Sequence, residues 1–339
     1  MREASYYTSL EGGAVECGLC PHRCRIAAGK RGICAVRENR QGRLMSLVYG
    51  NLAASHIDPI EKKPLFHFLP GSQTYSVATV GCNLSCPFCQ NHDLSLAVRR
   101  MPQHSGYEAS PEKVAAEAAA SGCASVCFTY SEPTVFFEYM RYIAGPAREQ
   151  GLKTVIVSNG YIEKEPLQEL APLLDAANID LKAFSEQTYR RILKASLKPV
   201  MDTISSLWAQ GVWTEVTTLV VPGMNDSEQE LRQIAAFLAS CSPDIPWHVS
   251  RFFPHNEWLD AAPTPGETLR LALEVGRQAG LRYIYAGNVP GEFSENTYCP
   301  GCGIPVLERL GFRVLRSRVS AGGRCLECSA RVAGVFSEN

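Results

Sequence analysis

Three cysteines, Cys82, Cys86 and Cys89, fall within eight residues of the stretch GCNLSCPFCQNH, and the next cysteine downstream is Cys123. Thiols this dense in a reducing compartment read as metal ligands rather than as a disulfide framework. A structural zinc site is closed by four ligands and does no chemistry, so a set of three needs another account. An iron–sulfur cube can be held by three thiolates while its fourth iron stays open to a reacting molecule. The competing account is zinc completed by a distant residue such as His92. Position favours the cube, because the loop directly follows an apolar run, Ser76–Val80, that reads as a strand. Parallel α/β barrels build their active sites on such loops.

Two further cysteine groups flank this loop. Cys299 and Cys302, then Cys325 and Cys328, form two C-x2-C knuckles separated by twenty-two residues. That pattern predicts a zinc-ribbon-like site with four thiolates, rubredoxin-like iron being the alternative. So small a module lacks core area, and metal binding would supply its folding free energy. Cys17, Cys20, Cys24 and Cys34 offer four more thiols at C-x2-C-x3-C-x9-C. Zinc is the preferred occupant there, and a second iron–sulfur cluster feeding electrons to the first is the alternative. Cys123, Cys127 and Cys241 lie in apolar surroundings and read as small buried hydrophobes.

The rest of the composition narrows the function class. Among 339 residues, 45% are apolar, enough for a sizeable core, and the formal net charge is −1. No basic cluster of the kind that binds phosphate backbones stands out, so nucleic acid is an improbable partner. The stretch MREASYYTSLEGG lacks the charged start and apolar core of a signal peptide, and no apolar run reaches membrane-spanning length. The expectation is a soluble cytoplasmic protein.

The elements that must hold the thiols follow from periodicity. Strands are predicted at Ser76–Val80, Ser125–Thr129, Thr154–Ser158, Asn178–Leu181, Thr214–Val221, Trp247–Phe252 and Arg282–Ala286. Helices are predicted between them. SPEKVAAEAAASG has Ser110 as a cap, Pro111 at the first position and Gly122 past the end. DSEQELRQIAAFLA starts at Asp226 or Ser227 and repeats apolar residues at 231, 234, 235 and 238. Further helices fit 163–174, 185–194, 199–210 and 266–279. Such alternation implies parallel strands joined by crossovers. The fold class is therefore α/β, a partial or full (β/α) barrel over 71–290. A Cys-rich N-terminal module occupies 1–70 and a zinc-ribbon-like module 291–339.

CNLSCPFC resembles the cluster motif of the radical S-adenosylmethionine (SAM) superfamily. Its surroundings are similar to the activating enzymes of glycyl-radical enzymes such as pyruvate formate-lyase. CGLCPHRC, DPIEKKPLFHF, CPFCQN and FTYSEPT resemble the radical SAM proteins of the AmmeMemoRadiSam system. The resemblance implies a [4Fe–4S] cluster on Cys82, Cys86 and Cys89 whose open iron is chelated by SAM. It also implies reductive cleavage to methionine and a 5′-deoxyadenosyl radical, and an electron donor such as a ferredoxin or flavodoxin. Association with Memo-like or AMMECR-like proteins, or a protein substrate, is implied as well.

A barrel mouth would then present SAM contacts at its strand ends. Ser131-Glu132-Pro133 follows the second predicted strand and resembles a Gly-Gly-Glu-Pro motif, with Tyr130 and Ser131 in place of the glycines. That leaves the close backbone approach in question; the plainer reading makes Glu132 a helix N-terminal carboxylate. Ser158 and Asn159 end the third strand with groups suited to a ribose or a carboxylate. Asp180 and Lys182, two apart on the fourth, share a face and either pair with each other or hold a zwitterionic amino acid. Arg251 and His255 near the sixth strand are candidates for the SAM carboxylate, the adenine or the substrate, whereas His248 reads as a core histidine. A different class remains open on residues alone: a zinc-stabilised module that binds RNA or protein and does no redox chemistry.

Overall fold

The computed structural model describes residues 1–101, 106–289 and 295–337. An eight-stranded sheet forms its centre. Strand β1 (Ala54–Pro59) runs antiparallel at one edge beside β2 (Gln73–Ala78). Six more strands follow in spatial order, all parallel to β2: β3 (Ser125–Phe128), β4 (Lys153–Ser158), β5 (Ala176–Asp180), β6 (Trp213–Val220), β7 (Trp247–Arg251) and β8 (Ile284–Gly287). Helices make the crossovers that parallel strands require. They are α1 (Pro111–Ala120), α2 (Phe137–Glu149), α3 (Lys164–Leu170), α4 (Leu197–Ala209), α5 (Glu228–Cys241) and α6 (Gly266–Gln278). Strands β1 and β8 are the two edges and do not pair with each other among the described residues. The barrel is partial.

Local signals set the helix starts. The Ser110 hydroxyl accepts from the Lys113 amide at 3.2 Å ahead of Pro111, and the Ser227 hydroxyl accepts from the Glu230 amide at 3.3 Å. Each satisfies an amide that the first turn leaves unpaired. Alternation along the strands sends Val77, Phe128, Ile156, Ile179, Val216 and Val249 to the core beneath the helices. Cys127, Val155 and Ala176 face the other way and pack against Ile60, Leu65 and Phe68, so the segment after β1 plugs the barrel.

Three expectations are corrected. Helix α2 was not among the segments predicted as helical, and it carries Pro146 within it. It forms because Phe137, Met140, Ile143, Ala144 and Ala147 bury one face. The stretch 185–194 is only partly α-helical: Glu186–Thr188 opens into a π turn at Tyr189–Leu193 that ends on Lys194 in the left-handed region. The core sheet also begins before residue 71, since β1 pairs with β2 along its whole length. Residues 1–53 share their hydrophobic cluster with the barrel, Leu19, Val36, Leu44 and Leu52 included. The boundary at 290–291 lies outside the described residues.

The N-terminal module is two small antiparallel sheets, one of Tyr7–Ser9, Val15–Cys17 and Arg25–Ile26, the other of Arg2–Glu3, Arg43–Ser46 and Arg37–Arg40. The C-terminal module is a three-stranded sheet of Thr297–Tyr298, β9 (Pro305–Leu310) and β10 (Arg313–Ser317). No helix of the described residues is long and apolar enough to cross a membrane.

Candidate active site

The three-cysteine loop leaves the carboxyl end of β2. Its first turn is at Gly81, φ +106°, where an added Cβ would stand 2.8 Å from the Val36 Cγ1 of the N-terminal module. Only glycine allows that approach together with that backbone. Arg99 then gathers the loop: its guanidinium donates to the carbonyls of Cys82 (2.8 Å) and Leu84 (2.7 Å) and to the Ser85 hydroxyl (2.6 Å). Asn83 donates to the Tyr161 carbonyl at 2.7 Å, and its own carbonyl lies 2.7 Å from His22 Nε2.

The thiols sit in each other's fields. Burial raises Cys82 well above the ordinary thiol value, and Glu132, Cys86 and Cys89 add to the rise. Burial pushes Cys86 up to about 11 against the pull of the Lys182 ammonium. Buried thiols that resist ionisation while facing one another suit coordination, since a bound metal deprotonates its thiol ligands outright.

Around them stand the ends of β3, β4 and β5. Tyr130 adopts φ +62°, the left-handed backbone a glycine would take, at a cost of about 1–3 kcal/mol. It is held there because its hydroxyl donates to Asp58 and its ring lies 4.2 Å under the Lys63 ammonium. A tyrosine thus holds a left-handed turn at a position where the resembled motif has glycine. Ser131 follows, its buried hydroxyl without a hydrogen-bond partner among the described residues.

Glu132 is buried, and the structure gives it the capping role. Oε1 accepts from the Thr134 amide (2.8 Å) and the Ser158 hydroxyl (2.7 Å), and Oε2 accepts from the Asn159 amide (2.9 Å). Burial raises its pKa despite these donors. The carboxylate ties β3 to β4 and fixes Ser158 and Asn159. Asn159 in turn donates to Asn83 Oδ1 at 2.9 Å and reaches Cys82 Sγ at 3.7 Å. Gly160 is required next, at φ +69°, with Ile179 Cγ2 2.9 Å from where a Cβ would be.

Lys182 Nζ donates to Asp180 Oδ2 at 2.8 Å, so the two charges pair. Lys182 lies just past the end of β5 rather than within it. Its side chain is 18% exposed and that of Asp180 31%. Burial disfavours the ammonium, but Asp180 and the Cys86 thiol outweigh it and hold its pKa above the ordinary lysine value. Asn225 braces this edge by donating to the Lys182 carbonyl (2.7 Å) and the Leu219 carbonyl (2.8 Å).

Arg251 is engaged by its own neighbourhood. It lies on the strand face of Trp247 and Val249, and its Nε donates to the Thr264 carbonyl at 2.8 Å. His255 comes instead to His92, ring centroids 5.3 Å apart, on a loop that crosses the cluster loop: the Glu257 amide donates to the Pro87 carbonyl at 2.9 Å, and Trp258 packs on Phe88. His248 belongs to the barrel interior, 2.6 Å from Glu215 Oε2. Cys123 and Cys127 are buried and Cys241 is partly buried against the core. Arg99, Asn83 and Asn225 carried no sequence signal, because their partners are main-chain carbonyls remote in sequence or unmarked by spacing.

The flanking thiols differ from each other. Cys299, Cys302, Cys325 and Cys328 bring their sulfurs within 4.8 Å of one another, and no other group of three or more His, Cys, Asp or Glu ligands is as tight among the described residues. Two of the sulfur pairs stand 3.5 and 3.9 Å apart. A tetrahedral tetrathiolate ion sets about 3.8 Å. Burial raises the Cys299 thiol, but hydrogen bonds from the amides of Cys302 and Gly301 and from the Cys328 and Cys302 thiols together outweigh it and lower it to about 6. Cys17, Cys20, Cys24 and Cys34 instead line one cavity together with His22, Arg37 and Asn83.

Comparison with known proteins agrees with this geometry. Residues 76–237 match the family model of the radical SAM superfamily. The protein MJ0808 of Methanocaldococcus jannaschii is 42% identical over 336 residues, 98% of this chain and 99% of that one. A second protein of that organism, named as a candidate glycyl-radical enzyme activating enzyme, is 24% identical over 217 residues, 63% of this chain and 79% of that one. In fold, the chain is similar to Streptococcus suis SuiB bound to S-adenosylmethionine, with a TM-score of 0.50, 16% identity, and coverage of 68% of this chain and 53% of that one. The chain belongs to the radical SAM superfamily. It is an enzyme of that class, and glycyl-radical enzyme activating enzymes are among its relatives.

Proposed function

We propose that the protein cleaves SAM reductively and directs the resulting radical at a hydrogen of a protein or small-molecule substrate, in the manner of the activating enzymes among its relatives. When bound, a [4Fe–4S] cluster supplies the electron that breaks the sulfonium, releasing methionine and a 5′-deoxyadenosyl radical. Cys82, Cys86 and Cys89 would hold the cluster. Glu132 positions Ser158 and Asn159 toward it, and Asp180 with Lys182 offers a charge pair matched to the ammonium and carboxylate of an amino acid. The Ser131 hydroxyl supplies a further buried donor. The Gly81 contact and the crossing loop at Glu257 border the cluster loop on two sides and shield it from water. A reductant of the ferredoxin or flavodoxin class would deliver the electron, and fourteen unbridged cysteines suit the reducing cytoplasm. The tight C-terminal thiol set would hold structural zinc.

One observation carries this reading: the thiols on the first parallel strand's outgoing loop share a field with Glu132 from the end of β3 and with Asp180 and Lys182 from the end of β5. The test is 5′-deoxyadenosine formation by the anaerobically reconstituted, reduced protein given SAM. Product above a Cys82→Ala control supports the reading, and none above that control overturns it.

A further inference from the structure

The four N-terminal cysteines form a second converging set of thiols. They surround a cavity of about 20 Å³, counted as space open to the centre of a water molecule, with Leu19, Ile26, Ile33 and Val135 completing an apolar wall. That exceeds the 10–15 Å³ or so that one water needs. A single tetrahedral ion would draw its sulfurs to about 3.8 Å and leave no such space. The C-terminal sulfurs all lie within 4.8 Å of one another, two pairs at 3.5 and 3.9 Å, whereas no three of the N-terminal sulfurs are that close. Within one molecule, then, one tetrathiolate set has the dimensions of an ion and the other encloses a void.

A buried cation also borders the cavity. Arg37 lines it and is almost fully buried, with Nη1 3.8 Å from Cys17 Sγ and 3.0 Å from the Ser5 carbonyl. Glu138 pairs with its other nitrogen, and its Nε has no partner among the described residues. This buried guanidinium beside Cys17, shared with the Glu138 carboxylate, would offset part of the negative charge that metal-bound thiolates bring.

We infer that Cys17, Cys20, Cys24 and Cys34 hold an iron–sulfur cluster rather than zinc, in addition to the one at Cys82, Cys86 and Cys89. Its place is back to back with the first. Asn83 lines this cavity, follows Cys82 directly in the chain and hydrogen-bonds Asn159 beside the Cys82 sulfur. Cys34 and Val36 pack against Gly81, on the other side of Cys82.

The inference concerns a site outside the SAM-binding mouth, so the two are tested separately. The full-length Cys82→Ala/Cys86→Ala/Cys89→Ala variant is reconstituted anaerobically with iron and sulfide, and both are counted. The expected result is a brown protein keeping about half of the wild-type iron, with acid-labile sulfide in equal amount and a reduced-state EPR signal that SAM does not change. Acid-labile sulfide separates this cluster from a lone iron on the C-terminal thiols. A colourless variant with no sulfide and two zinc ions per chain overturns the inference. The converse variant, Cys20→Ala/Cys24→Ala, should lose about half of the iron while keeping a SAM-responsive signal; unchanged iron there overturns it too. Failure of the proposed function would show instead as a wild-type signal indifferent to SAM.

Discussion

The two ends of the barrel handle polar groups in opposite ways. At the amino end, Glu215 accepts from the amides of Phe66 (3.0 Å) and His67 (2.8 Å), from Trp213 Nε1 (2.9 Å) and from His248 (2.6 Å). His67 spans Tyr285 and the Ala333 carbonyl, so each side-chain polar atom of Glu215 and His67 is paired; beyond them Glu61 faces Arg309 at 3.7 Å, with Glu61 Oε2 and Arg309 Nε lacking a hydrogen-bond partner among the described residues. At the carboxyl end, buried polar atoms of Ser131, His92 and Asn256 have no partner among the described residues, and burial holds the Cys82 and Cys86 thiols against ionisation. Saturated polar networks rigidify a fold, whereas unmatched groups are unfavourable and persist where something else requires them. The amino end reads as a closure and the carboxyl end as a receptor.

That contrast breaks first at the thiols. Cys86→Ala should reduce 5′-deoxyadenosine to background in an anaerobic assay while leaving the urea midpoint of the metal-free protein little changed. At the opposite end, Glu215→Ala should leave activity per folded molecule intact but destabilise the protein by about 3–5 kcal/mol, read by urea denaturation, because four donors lose their shared acceptor. Equal loss of activity in both variants would dissolve the distinction.

Acid sharpens it further. Burial holds the His67 imidazole down to about 4, although Glu215 pulls the other way. Between that value and the ordinary histidine value near 6.5, the unfolded chain binds a proton that the folded one refuses. The His67 contribution is therefore complete above about pH 6.5 and is lost as pH falls toward 4, by about 3 kcal/mol. Melting temperatures across that window should show the slope, and His67→Gln should flatten it. The smallest effect belongs to the mouth: Lys182→Met should raise the KM for SAM by about tenfold, roughly 1.4 kcal/mol, with the melting temperature held within a few degrees. A fall in stability without a change in KM would make the Asp180 pair merely structural.

Much of the site was legible because its chemistry is written locally. C-x3-C-x2-C names three ligands within one loop, and the apolar run before it names the strand end they occupy. For Glu132 the sequence offered a SAM contact or a helix-capping carboxylate, and the cap is what the structure shows; its ties to Ser158 and Asn159 were not legible, since they arise only through the pairing of β3 with β4. The partner of Arg251 was illegible for a related reason: its bond to the Thr264 carbonyl depends on a loop of twelve intervening residues. Tyr130 shows the reverse case, where a side chain at a glycine position of the resembled motif holds a left-handed turn through contacts with Asp58 and Lys63.

The sequence by itself determined the ligand types, the order of strands and helices, and the class of chemistry, because spacing and periodicity act within a few residues. The tertiary structure decided which groups are already engaged and which face the mouth, that residues before 71 complete the sheet, and that one flanking thiol set closes to ionic dimensions while the other encloses a cavity. Those outcomes depend on contacts between residues far apart in the chain, whose distances no local pattern encodes.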